Sequence, residues 1–235
     1  MVKWIIIPGI IYTLLFIVAM ILFAQSANDA VNWLSQQLHI EPWLQKERNP
    51  FLAFIFVMAG IMLRLVLFLF YFALFKYLIL IIGSPVFAYL SEKTEAIIDN
   101  REYKFNLKQA LPAAKRGIRL ALRNAGWQTV YMIGLILLSL FPVIGWITPL
   151  IAILVECYYY GFSMLDYSFE RKKITPSDSI YYIGNHKGLA IGNGLMFYLI
   201  QLVPVIGWVL APAFAVVAAT LSLHEMKDTL PEKTV

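Results

Sequence analysis

A cation buried in an apolar run is the first place to look for chemistry. Arg64 stands inside residues 51–82, a run of thirty-two residues interrupted only by Arg64 and Lys76. If the crossing covers 52–74, Arg64 lies near mid-depth, where an ionised group costs a few kcal/mol unless it faces water or a partner. Such a group attracts an anion. A crossing that starts later lets Arg64 snorkel to the far interface instead, and Lys76 is expected to snorkel at the near side. Gly192-Asn193-Gly194 is a second candidate, because flexible backbone near the start of a half-helix can turn its amides toward an anion. The bland use of the same residues is packing, since Gly184, Gly188 and Gly192, like Ala211, Ala215 and Ala219, recur every four residues and form smooth stripes. Asp166 with Tyr167 would shape the inner mouth of an anion route.

Other chemistry lacks its residues. Cys157 is the single cysteine, and His39, His186 and His224 are scattered, so no metal centre or disulfide is expected. Glu92, Asp166 and Glu170 form no paired catalytic motif, and no phosphate loop or nucleophile elbow occurs. The chain is therefore expected to have no catalytic residues and no cofactor, and not to be an enzyme.

Positioning these residues falls to two apolar runs built around a duplicated pentapeptide. Pro142-Val143-Ile144-Gly145-Trp146 recurs as Pro204-Val205-Ile206-Gly207-Trp208. The flanking arms are uncharged: 127–141 and 147–155 around the first copy, 189–203 and 209–223 around the second. Fifteen helical residues rise about 22 Å, short of a hydrocarbon core of about 30 Å. Proline breaks the helical ladder and glycine tolerates unusual backbone angles. The runs 127–155 and 189–223 therefore read as re-entrant helical hairpins with tips at Pro142, Gly145 and Trp146 and at Pro204, Gly207 and Trp208. Backbone opened at membrane depth needs cover, which implies a packed bundle or an oligomer around the tips. The competing reading is one long kinked membrane helix per run.

Composition supports a membrane setting. Of 235 residues, 60% are hydrophobic and 14% charged, with a mean hydropathy of +0.73. The net charge of +5 sits beside membrane segments: residues 83–127 hold eight Lys or Arg against four acids, residues 25–50 two against three. Orientation explains that asymmetry better than nucleic acid does. Residues 5–23 read as a retained first span, 51–82 as a long second one ended by Gly83-Ser84-Pro85. The region 83–126 carries a basic amphipathic helix with Leu107, Leu111, Ala114, Ile118 and Leu122 on one face and Lys108, Lys115, Arg119 and Arg123 elsewhere, suited to anionic membrane lipid. The positive-inside rule puts the amino terminus inside, and hairpins keep 156–188 and the 224–235 tail inside too.

The order of these features resembles the CysZ-type sulfate permease and etoposide-induced membrane protein family. Pro85, Glu92 and Glu95 match its pattern after the second span, with Val86 where family members carry Phe, and Phe87 one place later. Asp166-Tyr167-Ser168-Phe169 resembles its Asp-Tyr-Pro-Phe stretch, Gly192-Asn193-Gly194 its Gly-Phe-Gly motif, and Ala219-Thr220 its closing Ala-Thr. Family chains carry a further Gly- and Arg-bearing segment ahead of the first span, where this sequence has Met1-Val2-Lys3-Trp4. The resemblance implies an all-α membrane protein with two full spans and two half-penetrating hairpins, a homo-oligomer in the inner membrane that passes sulfate inward for cysteine synthesis. The expected function is thus a permease or channel for a small inorganic anion. The alternative is a membrane scaffold in which the basic helix binds lipid or a partner and nothing crosses.

Overall fold

A computed structural model of the chain describes residues 2–37, 50–102, 107–141, 143–203, 206–226 and 230. The described residues are helical and contain no strand. Among the described residues seven helices follow in order: α1 (Val2–Gln37), α2 (Pro50–Ile98), α3 (Leu107–Ser139), α4 (Thr148–Arg171), α5 (Pro176–Asn185), α6 (Lys187–Gln201) and α7 (Ile206–Glu225), with a 3-10 turn at Ile144–Ile147 before α4. Among the described residues three stretches are long and apolar enough to cross a membrane: Thr13–Ala30, Pro50–Tyr77 and Ile144–Arg171. The molecule is an all-helical membrane protein.

The residues group into two units. One holds Val18–Lys76 and Ala125–Glu156, the other Met1–Ile17, Tyr77–Asn124 and Cys157–Val235. In the first unit, Phe23 of α1 sits among Phe68, Tyr71, Phe72 and Phe75 of α2, at ring separations of 5.1 to 5.6 Å. Val66 of α2, Met132 and Leu135 of α3 and Ala152 of α4 make its core. Bonds from Gln128 to Glu156 near the turn and from Arg116 to Asp166 further from it mean that α3 and α4 run antiparallel. In the second unit α6 and α7 pack as an antiparallel pair, with Ala211, Ala215, Val216 and Ala219 buried.

The chain therefore reverses between α3 and α4 and between α6 and α7, and the glycines there serve for a different reason than backbone freedom. No described glycine has a positive φ. A Cβ on Gly145 would lie 2.7 Å from the Ser139 carbonyl oxygen, and one on Gly207 2.0 Å from that of Ile200. Each glycine donates its N–H four residues back, Gly145 to Phe141 at 2.7 Å and Gly207 to Val203 at 2.9 Å. The missing side chain, rather than an unusual angle, lets the turn close on the preceding arm. Trp146 is half exposed; Trp208 begins within the backbone of α7, and Pro142 and Pro204 lie outside the described residues.

Three sequence expectations need correction. The second helix does not end at Gly83-Ser84-Pro85 but continues to Ile98. Proline removes one helical N–H, a loss that neighbouring helices cover in membrane proteins. Gly83 makes room for the buried Phe87 ring, which would lie 2.9 Å from an added Cβ. The real stop is Asn100, in the left-handed region at φ 52, with Arg101 N–H returning to the Ala96 carbonyl at 2.8 Å. Second, the arms of the first hairpin are not confined to 127–141 and 147–155. They are parts of α3, 33 residues long, and α4, 24 residues long, because Glu156, read as the end of an arm, is buried and paired inside. Third, the packed face of α3 is rotated from the stripe read in sequence: Leu120, Ala121, Asn124 and Gln128 are buried, while Leu122 is 60% exposed. The side chains of 107–111, 113 and 114, and the segment 38–49 with Trp43, lie outside the described residues.

Candidate functional site

Asp166 is the most constrained of the residues that the sequence singles out. It lies on α4, facing Arg116 of α3, and both side chains are largely buried. Arg116 grips the carboxylate in a fork, Nε to Oδ2 at 3.2 Å and Nη2 to Oδ1 at 2.8 Å. Ser179 of α5 donates to Oδ1 at 3.1 Å and accepts from Arg116 Nη2 at 3.2 Å. Arg116 also donates to the Ile174 carbonyl. The guanidinium thus ties α4, the 172–175 connection and α5 to α3. The start of α5 is set locally: Thr175 caps it by accepting the Asp178 N–H at 3.2 Å, followed by Pro176 at the first helical position, where a missing N–H costs nothing. Tyr167 is buried against the Phe87 ring at 5.7 Å, and a Cβ on Gly117 would touch it at 3.4 Å.

One turn further on, three hydroxyls from three helices meet. Ser91 of α2, Ser168 of α4 and Thr220 of α7 lie 3.0 to 3.3 Å apart pairwise, all buried. Thr220 donates onward to the Val216 carbonyl at 2.8 Å. Arg171 donates to Ser168 at 3.3 Å and to the Ser91 carbonyl, and pairs with Glu95 at 3.3 Å. Sequence reasoning missed Ser91 and Arg171. It had noted Ser168 and Thr220 only as family positions, and no local spacing joins residues this far apart in the chain.

The Gly192-Asn193-Gly194 stretch lies inside α6, so its amides belong to the helical ladder rather than to an opened half-helix start. Its glycines differ. A Cβ on Gly194 would lie 1.9 Å from the Cys157 carbonyl oxygen, and one on Gly161 1.9 Å from that of Ala190, so α4 and α6 touch backbone to backbone. Gly184, Gly188 and Gly192 have nothing within 4 Å of an added Cβ. The smooth stripe that packs is therefore Gly161, Ala190 and Gly194, because the contact needs a small residue on each helix. Both polar atoms of the Asn193 amide are buried with no hydrogen-bond partner among the described residues.

Those groups belong to one unit, and Arg64 to the other. Arg64 occupies an exposed position of α2, near Ile61, Leu65 and Phe68, which are exposed as well. Among the described residues of that unit the buried cation is Lys76, expected from sequence to snorkel but enclosed instead. Its Nζ lies 2.9 Å from Glu156 Oε1 of α4 and donates to Gln128 Oε1 of α3 at 3.1 Å. Gln128 in turn donates Nε2 to Glu156 Oε2. Lys76 and Glu156 are each only about 5% exposed and Gln128 is 1% exposed. Three helices thus close a triangle of ammonium, amide and carboxylate. No group of three or more metal-ligating side chains occurs among the described residues.

Residues 1–212 match the family described as sulfate transporter CysZ/etoposide-induced protein 2.4. A sulfate transporter CysZ of Pseudomonas fluorescens is 27% identical over 143 residues, 60% of this chain and 57% of the relative. One of Pseudomonas syringae pv. tomato is 27% identical over 60% of this chain and 56% of its own length, and one of Pseudomonas paraeruginosa is 26% identical over 60% and 58%. The chain thus spans rather more than half the length of these curated relatives.

Proposed function

Because the chain belongs to the sulfate transporter CysZ/etoposide-induced protein 2.4 family, which it matches over residues 1–212, we propose that it passes a small sulfate-like oxyanion across a bacterial inner membrane. The observation that carries this is the match to that family over most of the chain, together with relatives that are named sulfate transporters. In this reading Arg64 attracts the anion, the Asn193 amide between Gly192 and Gly194 offers it a polar contact, and Asp166 and Tyr167 hold the frame. The test is sulfate uptake into proteoliposomes. Flux above empty vesicles is expected, lowered by Arg64→Ala; no flux of sulfate or another small anion would remove the reading.

The same proposal includes a topology with the amino terminus cytoplasmic, α1 and α2 crossing, and both hairpins returning to the cytoplasmic side. Reversal of α3 into α4 and of α6 into α7 supports it, since each pair brings the chain back to the side it left. Apolar Val143, Ile144, Leu202 and Ile206 are exposed at the tips, which supports cover by lipid or by another copy in a homo-oligomer. Labelling of Ser177→Cys in a Cys157→Ala background checks this: Ser177 is exposed, and an external impermeant reagent is expected not to reach it.

The scaffold alternative draws on one observation, the exposure of Lys115 and Arg119 on α3 beside exposed Leu122. A basic face with an apolar residue suits an anionic leaflet. Neutralising Lys115 and Arg119 distinguishes the readings, because a scaffold loses vesicle binding while a permease keeps its flux.

A further inference from the structure

We propose that Lys76 is an occluded binding point for a small inorganic oxyanion, and that Glu156 is its resident counter-ion, displaced when the anion arrives. The inference rests on the transport reading above and names the residue that meets the solute within the apolar unit.

Packing does not call for this pair. Helices α2, α3 and α4 already pack there through Val66, Met132, Leu135 and Ala152, and a buried ion pair holds a fold no better than apolar side chains of the same volume. Yet Lys76 falls within Pro50–Tyr77 and Glu156 within Ile144–Arg171, both long and apolar enough to cross a membrane. Ionisable side chains within such segments are rare, and where they pair with one another they commonly mark an ion path.

The chemistry of the three groups suits exchange. Lysine carries a compact charge on a flexible stem with rotatable donors, so it can leave one acceptor for another without the planar register that arginine demands. An oxyanion presents the same kind of acceptor oxygens as the Glu156 carboxylate. When Lys76 turns away, Glu156 keeps the N–H of Gln128 on Oε2, which lowers the cost of losing the ammonium. The Gln128 carbonyl, 3.1 Å from Nζ, steers the amine in either position. At rest the ammonium and the carboxylate offset each other's charge at 2.9 Å, and in a low-dielectric bundle a paired charge is the stable condition. Entry of an anion leaves a net negative charge near Glu156, so binding is weak by construction. Conduction needs such weakness, since a solute held too well does not leave. Glu156 is the built-in competitor that sets it.

The experiment compares wild type, Lys76→Met, Glu156→Gln and the double variant in phosphatidylcholine vesicles, where no anionic headgroup competes for the ammonium. Initial rates of sulfate uptake are measured against concentration, and sulfate-dependent thermal protection is read on the same purified proteins. Glu156→Gln is expected to lower the half-saturating sulfate concentration roughly tenfold or more, the scale of one charged hydrogen bond, and to lower the maximal rate as release slows. Lys76→Met loses both uptake and protection. The double variant keeps wild-type thermal stability without sulfate, because it buries no lone charge, and it too loses uptake and protection. Wild-type kinetics in the double variant would make the pair structural and overturn the proposal. So would an unchanged half-saturation in Glu156→Gln. If Glu156→Gln does not fold, the double variant decides alone. Absence of wild-type flux removes the transport reading, and the protection measurement then still decides whether Lys76 binds sulfate.

Discussion

The ion pairs Arg116–Asp166 and Lys76–Glu156, one in each unit, both end on α4 and serve opposite ends. Arg116 and Asp166 join α3 to α4 through a planar fork that also engages Ser179 and the Ile174 carbonyl. Lys76 and Glu156 meet through a single ammonium, bridged by a neutral amide. A fork with several fixed acceptors resists rearrangement, because no one partner can leave without breaking the geometry of the others. A compact charge on a flexible stem can trade one acceptor for another. The first pair therefore anchors the polar α4–α5 connection, and the second is the exchangeable one.

Arg116→Ala carries the largest expected effect: it strands the buried Asp166 carboxylate and should cost about 3–5 kcal/mol in unfolding free energy. Arg116→Lys should recover little of it, whereas Lys76→Arg should leave thermal stability nearly unchanged. Equal losses in the two would erase the distinction between clasp and exchange site. Chemical unfolding in detergent checks both.

The duplicated tips offer a second contrast between the units. A Cβ meets backbone oxygen at 2.0 Å at Gly207 but at 2.7 Å at Gly145. Gly207→Ala should thus be the more damaging, at about 1–3 kcal/mol for forced overpacking. Gly145→Ala should cost less in the same thermal melt, and a reversed order would show that the two turns close differently. Thr220→Val should cost about 1 kcal/mol by removing one member of the buried hydroxyl cluster. Gly192→Ala runs the other way, since nothing lies within 4 Å of its Cβ and the helix gains about 0.5–1 kcal/mol.

The smallest effect concerns an exposed pair. Arg101 donates to Asp99 at 2.5 Å and holds its carboxyl below the usual range, mainly through that hydrogen bond. A depressed folded-state pKa gives stability that is present above the unfolded value and fades as pH falls through the folded one. Arg101→Ala should return the Asp99 titration, followed by NMR, toward its ordinary position while leaving the buried pairs untouched.

Several of these features were legible in the chain. The repeat of Pro-Val-Ile-Gly-Trp falls at two helix–helix connections, and the apolar runs 5–23 and 51–82 overlap two of the stretches long and apolar enough to cross a membrane. Ala211, Ala215 and Ala219 marked the buried face of α7, since period and residue size are local properties. Stops were less legible: Gly83-Ser84-Pro85 has the composition of a helix end, yet its glycine answers to Phe87 and its proline sits within a supported helix. Arg64 drew notice as a lone charge in an apolar run and lies at an exposed position, whereas Lys76 passed as a boundary residue and is the buried one.

Local spacing, hydropathy and charge asymmetry were enough to determine a helical membrane chain, its two turning points and the residues rich enough in chemistry to test. Only the tertiary structure decided that Lys76 meets Glu156 across 80 positions of sequence, that Arg116 clasps Asp166, and that Gly161 and Gly194, not the regular glycine stripe, hold α4 to α6. A side chain's partner depends on which faces of distant helices come together. That choice is made by packing summed over the whole bundle, and no window of sequence contains it.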